Sequence, residues 1–395
     1  MRVTPPPSVV YLAPDKMGGI ITVIANLLDN RGPQSLATEV LLVHNHLSTD
    51  TRFAGRLNCD RQTTFEHTLP LENLRAVLRR MARAISTGPG VIVASDLIDL
   101  AMLSVHDVGR AVVLILHGDT PYYYDLAVKH DAVVHAYIAA SRQMYTRLLE
   151  ILPHRASSIF CFPYGIPLPP RVRTAAPGPL RLIYAGRLED GQKGVMDLPA
   201  IDAGLRARGV ARTWTIAGGG PDEARVREAW GAAPDVTFAG TLTQEATVDL
   251  LADHDVFVLP TRSEGFPLAL LETMGTGTVP VVSDIPSGVP DLVTDGVTGF
   301  MPPVGDVDGF AAAIGRLSAD RPMLERMSAE CRRVIETRFD VRDRAADYEA
   351  LFARYADLYR PLSPLARLRY GSRLDQPWIP NMLVRGLRTA IRMAR

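Results

Sequence analysis

The segment at 255–283, DVFVLPTRSEGFPLALLETMGTGTVPVVS, combines two acids with the start of a helix. An apolar stretch of strand length runs into a loop that holds Glu264, and Pro267 then opens a helical pattern that carries Glu272. The backbone amides around Phe266–Leu268 would form a helix N-terminus, which favours anions. Glu264 therefore either caps the helix or faces sugar hydroxyls or a developing positive charge on a sugar ring. Glu272 could reach a ribose or pair with a nearby cation.

A second segment, GRLEDGQKG at 186–194, places two cations after another apolar strand pattern. Arg187 offers a planar fork and Lys193 a movable point charge, and both types of side chain hold phosphate. Gly186 and Gly191 have the glycine spacing of a P-loop, but the Gln-Lys that follows is not Gly-Lys-Ser/Thr. This departure argues against ATP hydrolysis of the P-loop type. The alternative is a pair of solvated surface cations.

A third segment, AGGGPDE at 217–223, is rich in glycine. Gly218, Gly219 and Gly220 allow a close approach of the backbone to a ligand or to another turn. Glu223 stands where the third glycine of a dinucleotide fingerprint would be, so that fingerprint is incomplete. The segment is either a tight turn or a ligand loop.

Apolar runs of strand length alternate with helical patterns along the whole chain, which is typical of parallel sheets covered by helices. In the first half we predict strands at 8–13, 38–43, 90–94, 111–116, 136–140 and 158–162, and helices at 19–29, 71–86, 97–106 and 142–152. In the second half we predict strands at 180–186, 213–218, 236–240, 255–260 and 279–283, and helices at 194–207, 222–230, 244–252, 267–274, 306–318, 322–338 and 342–358.

The segment at 163–179 contains six prolines and two glycines and separates the two halves. The fold class is therefore α/β, with two doubly wound Rossmann-like domains facing across a cleft. We predict an N-terminal acceptor domain at 1–165, a Pro-rich hinge at 166–179, a donor domain at 180–358 and a basic tail at 359–395. Ligands of such sheets bind beyond the carboxyl ends of the strands, which makes the cleft the expected site.

The charge of the chain is balanced overall but not locally. Its 395 residues hold 43 Lys and Arg and 43 Asp and Glu, so a whole-molecule attraction to nucleic acid is not expected. Residues 360–395, however, carry eight arginines and one acid, Asp375.

The three cysteines have no metal-ligand spacing and are typical of a reducing, cytoplasmic compartment. The N-terminal segment does not have the pattern of a signal peptide.

The last residues, NMLVRGLRTAIRMAR, form an amphipathic helical pattern. One face carries Leu383, Leu387, Ile391 and Ala394, and another carries Arg385, Arg388, Arg392 and Arg395. Such a helix at 380–395 either lies on an anionic membrane surface or crosses back over the N-terminal domain, and the two alternatives are compatible.

The order of these blocks resembles a known family. GRLxxxKG, AGxGP, VxFxG, SEGFPLALLE and PVVS occur in this order over roughly 180–300, with two glutamates separated by seven residues within SEGFPLALLE. The chain thereby resembles the retaining nucleotide-sugar glycosyltransferases of family 4, which have the GT-B fold. In the N-terminal half the resemblance depends on MGGI (17–20), HGD (117–119) and PYGIP (163–167).

The resemblance implies roles for individual residues. Arg187 and Lys193 would hold the donor diphosphate, Glu264 would contact the hydroxyls of the donor sugar, and His117 would lie at that sugar. The implied catalytic residues are His117, Glu264, Arg187 and Lys193. The implied substrate-binding residues are Gly18, Gly19, Gly186, Gly219, Gly220, Leu242, Gly265, Phe266, Pro267, Leu268 and Glu272. In this family the leaving phosphate oxygen is thought to accept the proton of the acceptor, so no separate protein base is expected.

The expected activity is transfer of a hexose-type sugar, with retention, from a nucleotide diphosphate sugar to a glycan or lipid-linked acceptor in cell-surface polysaccharide biosynthesis. The absence of an acid at Thr241–Gln244 favours UDP over a guanine nucleotide. Asp253–Asp255 and Asp306–Asp308 match the Asp-x-Asp spacing of metal sites, but both have structural explanations, a turn and a helix N-cap. We therefore expect no metal and no cofactor.

The acceptor side is less defined by the sequence. Tyr122, Tyr123 and Tyr124 either form a stacking surface for an acceptor or divide between the core and the surface. The expected location is cytoplasmic, with the tail on the inner face of the membrane if it binds lipid. Two other functions remain open: a nucleotide-sugar epimerase of similar fold, and a non-catalytic scaffold that binds sugar nucleotides.

Overall fold

The computed structural model describes residues 5–363 and 370–393, and its contacts divide the chain into two compact units. The first unit takes in 1–140, 144–162 and 342–395, and the second takes in 141–143 and 163–341. The tail residues Arg367, Arg369, Ala394 and Arg395 lie outside the described residues.

The N-terminal part of the first unit is a repeated strand-helix pattern. Its elements are β1 (Ser8–Pro14), α1 (Gly19–Asp29), β2 (Ala37–Asn45), β3 (Arg61–His67), α2 (Leu74–Ala84), β4 (Gly90–Ala94), α3 (Leu97–Val105), β5 (Ala111–Leu116), α4 (Pro121–Lys129), β6 (Ala136–Ala139), α5 (Arg142–Ile151), a 3-10 turn at Pro153–Ser158 and β7 (Ile159–Cys161). The strands form one parallel sheet in the order β3-β2-β1-β4-β5-β6-β7. β4, β5 and β6 are buried along their whole length, because helices cover both faces of the sheet.

The second unit repeats the same plan. Its elements are β8 (Leu180–Ala185), α6 (Asp190–Lys193), α7 (Asp197–Ala207), β9 (Arg212–Ala217), α8 (Glu223–Trp230), β10 (Val236–Gly240), α9 (Gln244–Ala252), β11 (Val256–Leu259), α10 (Leu268–Thr276), β12 (Val279–Val282), α11 (Val289–Leu292), α12 (Val307–Ala319) and α13 (Arg321–Arg338). Its parallel sheet has the order β10-β9-β8-β11-β12. β8 lies in the middle, so the turns after β8, β9 and β11 share one edge. The doubly wound α/β fold predicted from the sequence is confirmed in both units.

The last helices belong to the first unit. They are α14 (Val341–Ala353), α15 (Tyr355–Leu358) and α16 (Asn381–Met393). On α14, Glu349 accepts a hydrogen bond from the amide of Gly32 at 3.0 Å, and Phe352 packs edge-on against Tyr11 with ring centroids 6.2 Å apart. The second unit therefore ends at 341, and not at 358 as the sequence predicted.

The predicted hinge at 166–179 also differs from the observed boundary. This segment groups with the second unit and is fixed there by Arg173, whose guanidinium Nη1 lies 2.7 Å from Asp255 Oδ1. Ile166 forms a bridge to Asp340, which ties the segment to the end of the unit. The prolines prevent regular structure, but they do not prevent the segment from packing.

The helix α16 packs on the first unit, which was one of the two alternatives for the tail. Val384 is buried, and Arg388 donates to the carbonyl oxygen of Glu72 at 2.6 Å and to Asp375 Oδ2 at 2.8 Å. Asn381 Oδ1 accepts from the amide of Asn73, at the start of α2, at 2.7 Å. Val384 and Arg388 therefore lie on the inner side of the helix, whereas Arg385 and Arg392 are exposed.

Candidate functional site

Two glycines bring the turns of the second unit close together. Gly218 follows β9 with a φ of +130°, and a Cβ there would lie 1.9 Å from the carbonyl oxygen of Gly186. Gly194 has a φ of +62°, and its Cβ would lie 2.1 Å from the carbonyl oxygen of Pro260. Only glycine fits at these two positions, because the backbone of a neighbouring turn occupies the place of a side chain.

An ion pair joins two of the predicted catalytic residues. Lys193 Nζ lies 2.6 Å from Glu264 Oε1, and Thr261 Oγ1 donates to the same oxygen at 2.9 Å. The side chain of Lys193 is 20% exposed and that of Glu264 is 7% exposed. Both described hydrogen bonds of the Glu264 carboxylate involve Oε1, so Oε2 can accept a hydrogen bond from a ligand.

The loop that carries Lys193 is fastened to the loop that carries Glu264. Gln192 is at the centre of this connection: its carbonyl oxygen accepts from the amide of Arg262 at 2.8 Å and from Thr261 Oγ1 at 3.0 Å. Its side-chain amide donates to the carbonyl oxygen of Ser263 at 3.1 Å. The geometry of the ion pair is therefore fixed by backbone contacts that do not depend on the two charges.

The segment after Glu264 turns into α10 as the sequence predicted. Phe266 is buried and packs against Tyr164 and Phe339, with ring centroids 5.7 and 5.8 Å away. Pro267 precedes the first helical residue, Leu268, and no side chain caps the helix. The first amides of α10 thus retain their capacity to bind an anion.

Glu272 lies one turn into α10 and is buried. Its Oε1 accepts a hydrogen bond from Gln244 Nε2, at the start of α9, at 2.8 Å. Burial raises the pKa of Glu272 to about 7, and the hydrogen bond from Gln244 opposes that rise. Neither a cation nor a second acid is bonded to this carboxyl among the described residues, which leaves it suited to a neutral partner such as a hydroxyl.

A groove of about 310 Å³ runs along the carboxyl edge of the second unit's sheet. Four residues predicted from the sequence contribute to it: Gly186, Arg187, Gly219 and Leu242. The other lining residues are Ala185, Ala217, Gly218, Thr241, Thr247 and Ala269. Three strand ends therefore meet at one groove, as the rule for parallel sheets predicts.

Arg187 differs from Lys193 in its surroundings. Its side chain is 66% exposed, and its one described ion pair, to Glu189 Oε2, spans 3.4 Å. The carbonyl oxygen of Arg187 accepts from the hydroxyl of Tyr184 at 2.7 Å, which fixes the backbone while the guanidinium extends into solvent. The arginine can therefore move toward a ligand, whereas the lysine is held.

Two further predicted residues lie in loops of the second unit. A Cβ at Gly220 would lie 2.3 Å from the carbonyl oxygen of Leu188. The carbonyl oxygen of Gly265 accepts from the amide of Gly288 at 2.7 Å.

Three other predicted residues lie in the first unit. Gly18 precedes α1 and Gly19 begins it, and no side chain caps this helix either. His117 follows β5, where its Nε2 lies 3.1 Å from Ser95 Oγ. Desolvation of the ring lowers the pKa of His117 to about 3, so the imidazole is neutral at pH 7.

The sequence alone did not single out Thr261. Gln244 was named only as one of four positions that hold no acid. Both side chains hold a predicted glutamate in place. Thr261 follows the end of β11 by two residues, and Gln244 opens α9. A position just after a strand or at the start of a helix could have identified Thr261 and Gln244 from the sequence.

The acids with Asp-x-Asp spacing are engaged in structural contacts. Asp306 Oδ1 accepts from the amide of Gly309 at 2.9 Å, which confirms the predicted N-cap, and Asp308 Oδ1 lies 2.6 Å from Arg208 Nη2. Asp253 and Asp255 are paired with Arg171 and Arg173 at 2.6 and 2.7 Å. In the described ranges no group of three or more His, Cys, Asp or Glu side chains could hold a metal ion.

Residues 179–320 match the family profile described as Glycosyl transferases group 1. The chain is 34% identical over 176 residues to the putative colanic acid biosynthesis glycosyltransferase WcaL of Salmonella typhimurium, covering 42% of this chain and 43% of that protein. It is 34% identical over 181 residues to the amylovoran biosynthesis glycosyltransferase AmsK of Erwinia amylovora, covering 43% and 44%. The matched stretch thus spans less than half the length of these relatives.

The fold is similar to that of a solved structure, Anabaena HepE in complex with UDP. The TM-score is 0.72 at 18% identity, covering 88% of this chain and 99% of that chain. With the two parallel-sheet units described above, this similarity identifies the fold as GT-B. The chain therefore has the GT-B fold and carries, over residues 179–320, a domain of the Glycosyl transferases group 1 family.

Proposed function

We propose that the protein is a retaining glycosyltransferase that moves a hexose-type sugar from a nucleotide diphosphate sugar, a UDP-sugar by preference, to a glycan or lipid-linked acceptor. The product has an α-linkage and belongs to cell-surface polysaccharide biosynthesis. The observation that carries the proposal is the Lys193–Glu264 pair, 2.6 Å apart, at the same sheet edge as the groove and the uncapped start of α10.

Each part of this arrangement fits one part of a nucleotide diphosphate sugar. Arg187, Lys193 and the first amides of α10 supply positive charge for the diphosphate. Glu264 Oε2 accepts from a sugar hydroxyl, and Glu272 accepts from the ribose. The groove between Gly219 and Leu242 has room for the nucleoside.

The physical role of these groups is to stabilise the leaving group. Negative charge develops on the diphosphate as its bond to the sugar breaks, and Lys193, which is held in place, and the helix amides stabilise that charge without having to reorganise. The leaving phosphate oxygen can then accept the proton of the acceptor, so the protein needs no separate base. His117, which is neutral, serves at the sugar through hydrogen bonding.

The comparisons support the substrate class. Two relatives take part, by their names, in the biosynthesis of the polysaccharides colanic acid and amylovoran, and the similar HepE structure is a complex with UDP. These are properties of those proteins. Together with the geometry of the groove, they favour a UDP-sugar as donor and a polysaccharide precursor as acceptor.

The decisive experiment is NMR of the anomeric product from a panel of sugar nucleotides with purified protein and bacterial glycan acceptors. A new glycosidic bond with retained α-configuration supports the proposal. A changed sugar on the nucleotide would instead indicate an epimerase. Binding of the nucleotide sugar without turnover would indicate a scaffold, and either of these outcomes overturns the proposal.

We also propose that transfer needs no metal, because cations of the protein are available to the diphosphate. Turnover in excess EDTA should match turnover in buffer with magnesium. A loss of turnover on chelation that manganese restores would contradict this part of the proposal.

A second surface supports association with an anionic membrane. The outer side of α16 exposes Leu383, Leu387 and Ile391 at 66%, 48% and 46%, with Arg385 and Arg392 also exposed. Trp378, just before the helix, is 75% exposed. We infer that the docked helix presents this apolar row and its flanking arginines to lipid, since such a combination is typical of interfacial helices. None of the helices in the described part of the chain is long and apolar enough to cross a bilayer.

The test is sedimentation with vesicles of phosphatidylcholine and phosphatidylglycerol. Replacing Leu383, Leu387 and Ile391 with serine should abolish co-sedimentation without unfolding, because these side chains are exposed. The matched control replaces Val128, which is 53% exposed on α4, with serine. Unchanged co-sedimentation of the triple variant would refute the membrane proposal without affecting the proposal of sugar transfer.

A further inference from the structure

The start of α9 and the middle of α10 are joined by a hydrogen bond beside the groove of the second unit. Gln244 Nε2 donates to Glu272 Oε1 at 2.8 Å. Thr247 lines the groove and follows Gln244 by three residues. Ala269 also lines it and precedes Glu272 by three residues. Residues three apart share one face of a helix, so the bond lies between the helix faces that border the groove.

The two partners of this bond differ in their exposure. Glu272 is 8% exposed, whereas Gln244 lies at an exposed position and could extend into water. Ordering a long side chain costs conformational entropy, and a buried carboxyl that lacks hydrogen bonds is costly to desolvate. Among the described residues, Gln244 is the one side chain that donates to Glu272. The glutamine is therefore held by the acid that it orients.

The chemistry of the two groups determines which atoms face each other. A carboxylate accepts hydrogen bonds and cannot donate them, so the amide of Gln244 must present Nε2 to it. Burial raises the pKa of Glu272 to about 7, and the hydrogen bond from Gln244 favours the ionised form. Above pH 7 the acid is therefore mostly ionised, and the amide oxygen of Gln244 is directed away from it.

Two acceptors remain after this bond has formed. Neither Gln244 Oε1 nor Glu272 Oε2 has a hydrogen-bond partner in the ranges that the structure describes. Because the two side chains are bonded to each other, these two oxygens belong to one small patch of acceptors. A ribose carries hydroxyl donors on adjacent carbons, C2′ and C3′. The pair therefore matches both hydroxyls of a ribonucleotide, whereas a 2′-deoxyribonucleotide leaves one acceptor unpaired.

We propose that Gln244 determines the specificity of the donor site for ribose, and that it does so as one unit with Glu272. This specificity rests on the proposed function, in which Glu272 accepts from the ribose of the donor. Without Gln244 the carboxyl is free to turn between donors. Gln244 gives it one orientation and adds the second acceptor.

A substitution at Gln244 should leave α9 in place. The helix is capped by Thr243, whose Oγ1 accepts from the amide of Ala246 at 3.2 Å. Methionine has the length of glutamine without its amide, and it is a good helix former. Gln244→Met therefore removes the hydrogen bond and the acceptor with little effect on the fold. Glu245→Ala is the matched control, because Glu245 is the next residue of the same helix and is exposed.

The test is isothermal titration calorimetry on the full chain at pH 8, where Glu272 is mostly ionised. The probes are UDP, ADP and their 2′-deoxy forms, since the ribose is common to nucleotides with different bases. Wild type should bind the preferred ribonucleotide about 10–100-fold more tightly than its 2′-deoxy form, as expected for a hydrogen bond to a charged acceptor. In Gln244→Met this preference should fall below about threefold, and in Glu245→Ala it should stay as in wild type.

A double-mutant cycle tests whether the two residues act as one unit. Glu272→Gln should lower the preference for the ribonucleotide about as much as Gln244→Met does, and the double variant should lower it little further. A purely structural role of Gln244 would instead weaken the binding of both forms of the nucleotide alike. Additive losses in the double variant would overturn the proposal.

The remaining outcomes separate this specificity from the proposed function. An unchanged preference in Gln244→Met would overturn the proposal, as would equal binding of the ribonucleotide and its 2′-deoxy form by wild type. Binding of neither UDP nor ADP would overturn it together with the nucleotide-sugar donor. Ribose selectivity that depends on Gln244, in a protein that transfers no sugar, would support the proposal and refute the transferase alone.

Discussion

The second unit contains two ion pairs of nearly equal length at opposite edges of its sheet. At the amino edge, Asp255 lies 2.7 Å from both Arg173 Nη1 and Arg181 Nη2, and it uses both of its carboxylate oxygens. At the carboxyl edge, Lys193 and Glu264 are 2.6 Å apart, and one carboxylate oxygen remains available. The first cluster is closed and the second is open to a ligand. Ion-pair distance therefore does not distinguish the two clusters, whereas unused hydrogen-bonding capacity does.

The largest expected effect belongs to the closed cluster. Asp255→Asn removes one of the two carboxylates paired with the Arg173 guanidinium, itself 1% exposed, and the carboxylate paired with Arg181, and should lower the free energy of unfolding by about 3 kcal/mol. The neighbouring arginines hold the pKa of Asp255 below its ordinary value, so its stabilisation is present at neutral pH and is lost as the pH falls through the lowered pKa. Chemical denaturation measures both effects.

The control for this substitution is Asp249→Asn, since Asp249 is 55% exposed and lies 3.8 Å from Arg171. It should change the stability by less than about 0.5 kcal/mol. Equal effects of the two substitutions would refute the distinction between a closed and an exposed pair.

The open pair should show the opposite behaviour. Lys193→Ala, and separately Glu264→Gln, should reduce turnover of the nucleotide sugar by about 10²–10³-fold, as expected for groups that stabilise charge at a reacting centre. Stability should fall less than in Asp255→Asn, because Thr261 still donates to Glu264 and the loops are held by Gln192 and by the backbone. The measurement is the steady-state rate together with a denaturation midpoint. Arg333→Ala, on an exposed pair of α13, is the control, and unchanged rates in Lys193→Ala would remove the pair from the site.

A third prediction concerns Glu272, a buried acid at the carboxyl edge, whose ionisation should lower the free energy of unfolding. Burial raises its pKa from 4.5 to about 7, so between these values the folded protein holds more protons than the unfolded chain, and its stability falls as the pH rises. Glu272→Gln lacks this titration. From pH 4.5 to 7.5, wild type should lose about 2–3 kcal/mol relative to the variant.

Denaturation curves at the two pH values check this difference, with the exposed Glu228→Gln as control. A pH-independent difference between wild type and Glu272→Gln would show that the buried carboxyl is not the titrating group.

The smallest effect is expected at Arg187. Because this side chain is 66% exposed, Arg187→Ala should raise KM for the nucleotide sugar about tenfold and leave the stability unchanged. Arg187→Lys should recover part of the loss. An effect on kcat as large as that of Lys193→Ala would mean that the two cations act as one unit.

The order of elements could be predicted because buried strands and amphipathic helices have clear periodicities. β4 and β5 have the predicted bounds, and α1 does as well. The missed strand, β3, has the polar sequence RQTTFEH and lies at the edge of the sheet, where only one neighbour and little core define it. The helical periodicity predicted the apolar face and the arginine face of α16. It did not predict that Val384 and Arg388 lie on the inner side, because this depends on packing against α2.

The candidate site could be predicted in the second unit because its residues follow strand ends in a glycine-rich context. Gly186, Arg187, Gly219 and Leu242 do line one groove. Of the pocket of about 460 Å³ at the carboxyl ends of β3, β2, β1 and β4 in the first unit, the sequence pointed only to Tyr122, since Asp15 and Asp96 follow their strands without glycine motifs. Their chemistry depends on a third residue, Arg52, which occupies one oxygen of Asp15 and is distant in sequence.

The return of the chain to the first unit has a consequence for biosynthesis. Ribosomal synthesis releases residues 1–162 first, but Glu349, Phe352 and Asn381 complete their packing only after the second unit has emerged. The second unit needs few residues from outside 163–341. During translation the second unit should therefore complete its folding before the first unit does, whereas N-terminal domains usually fold first. Nascent chains arrested before residue 342 would expose the surfaces that α14 and α16 later cover.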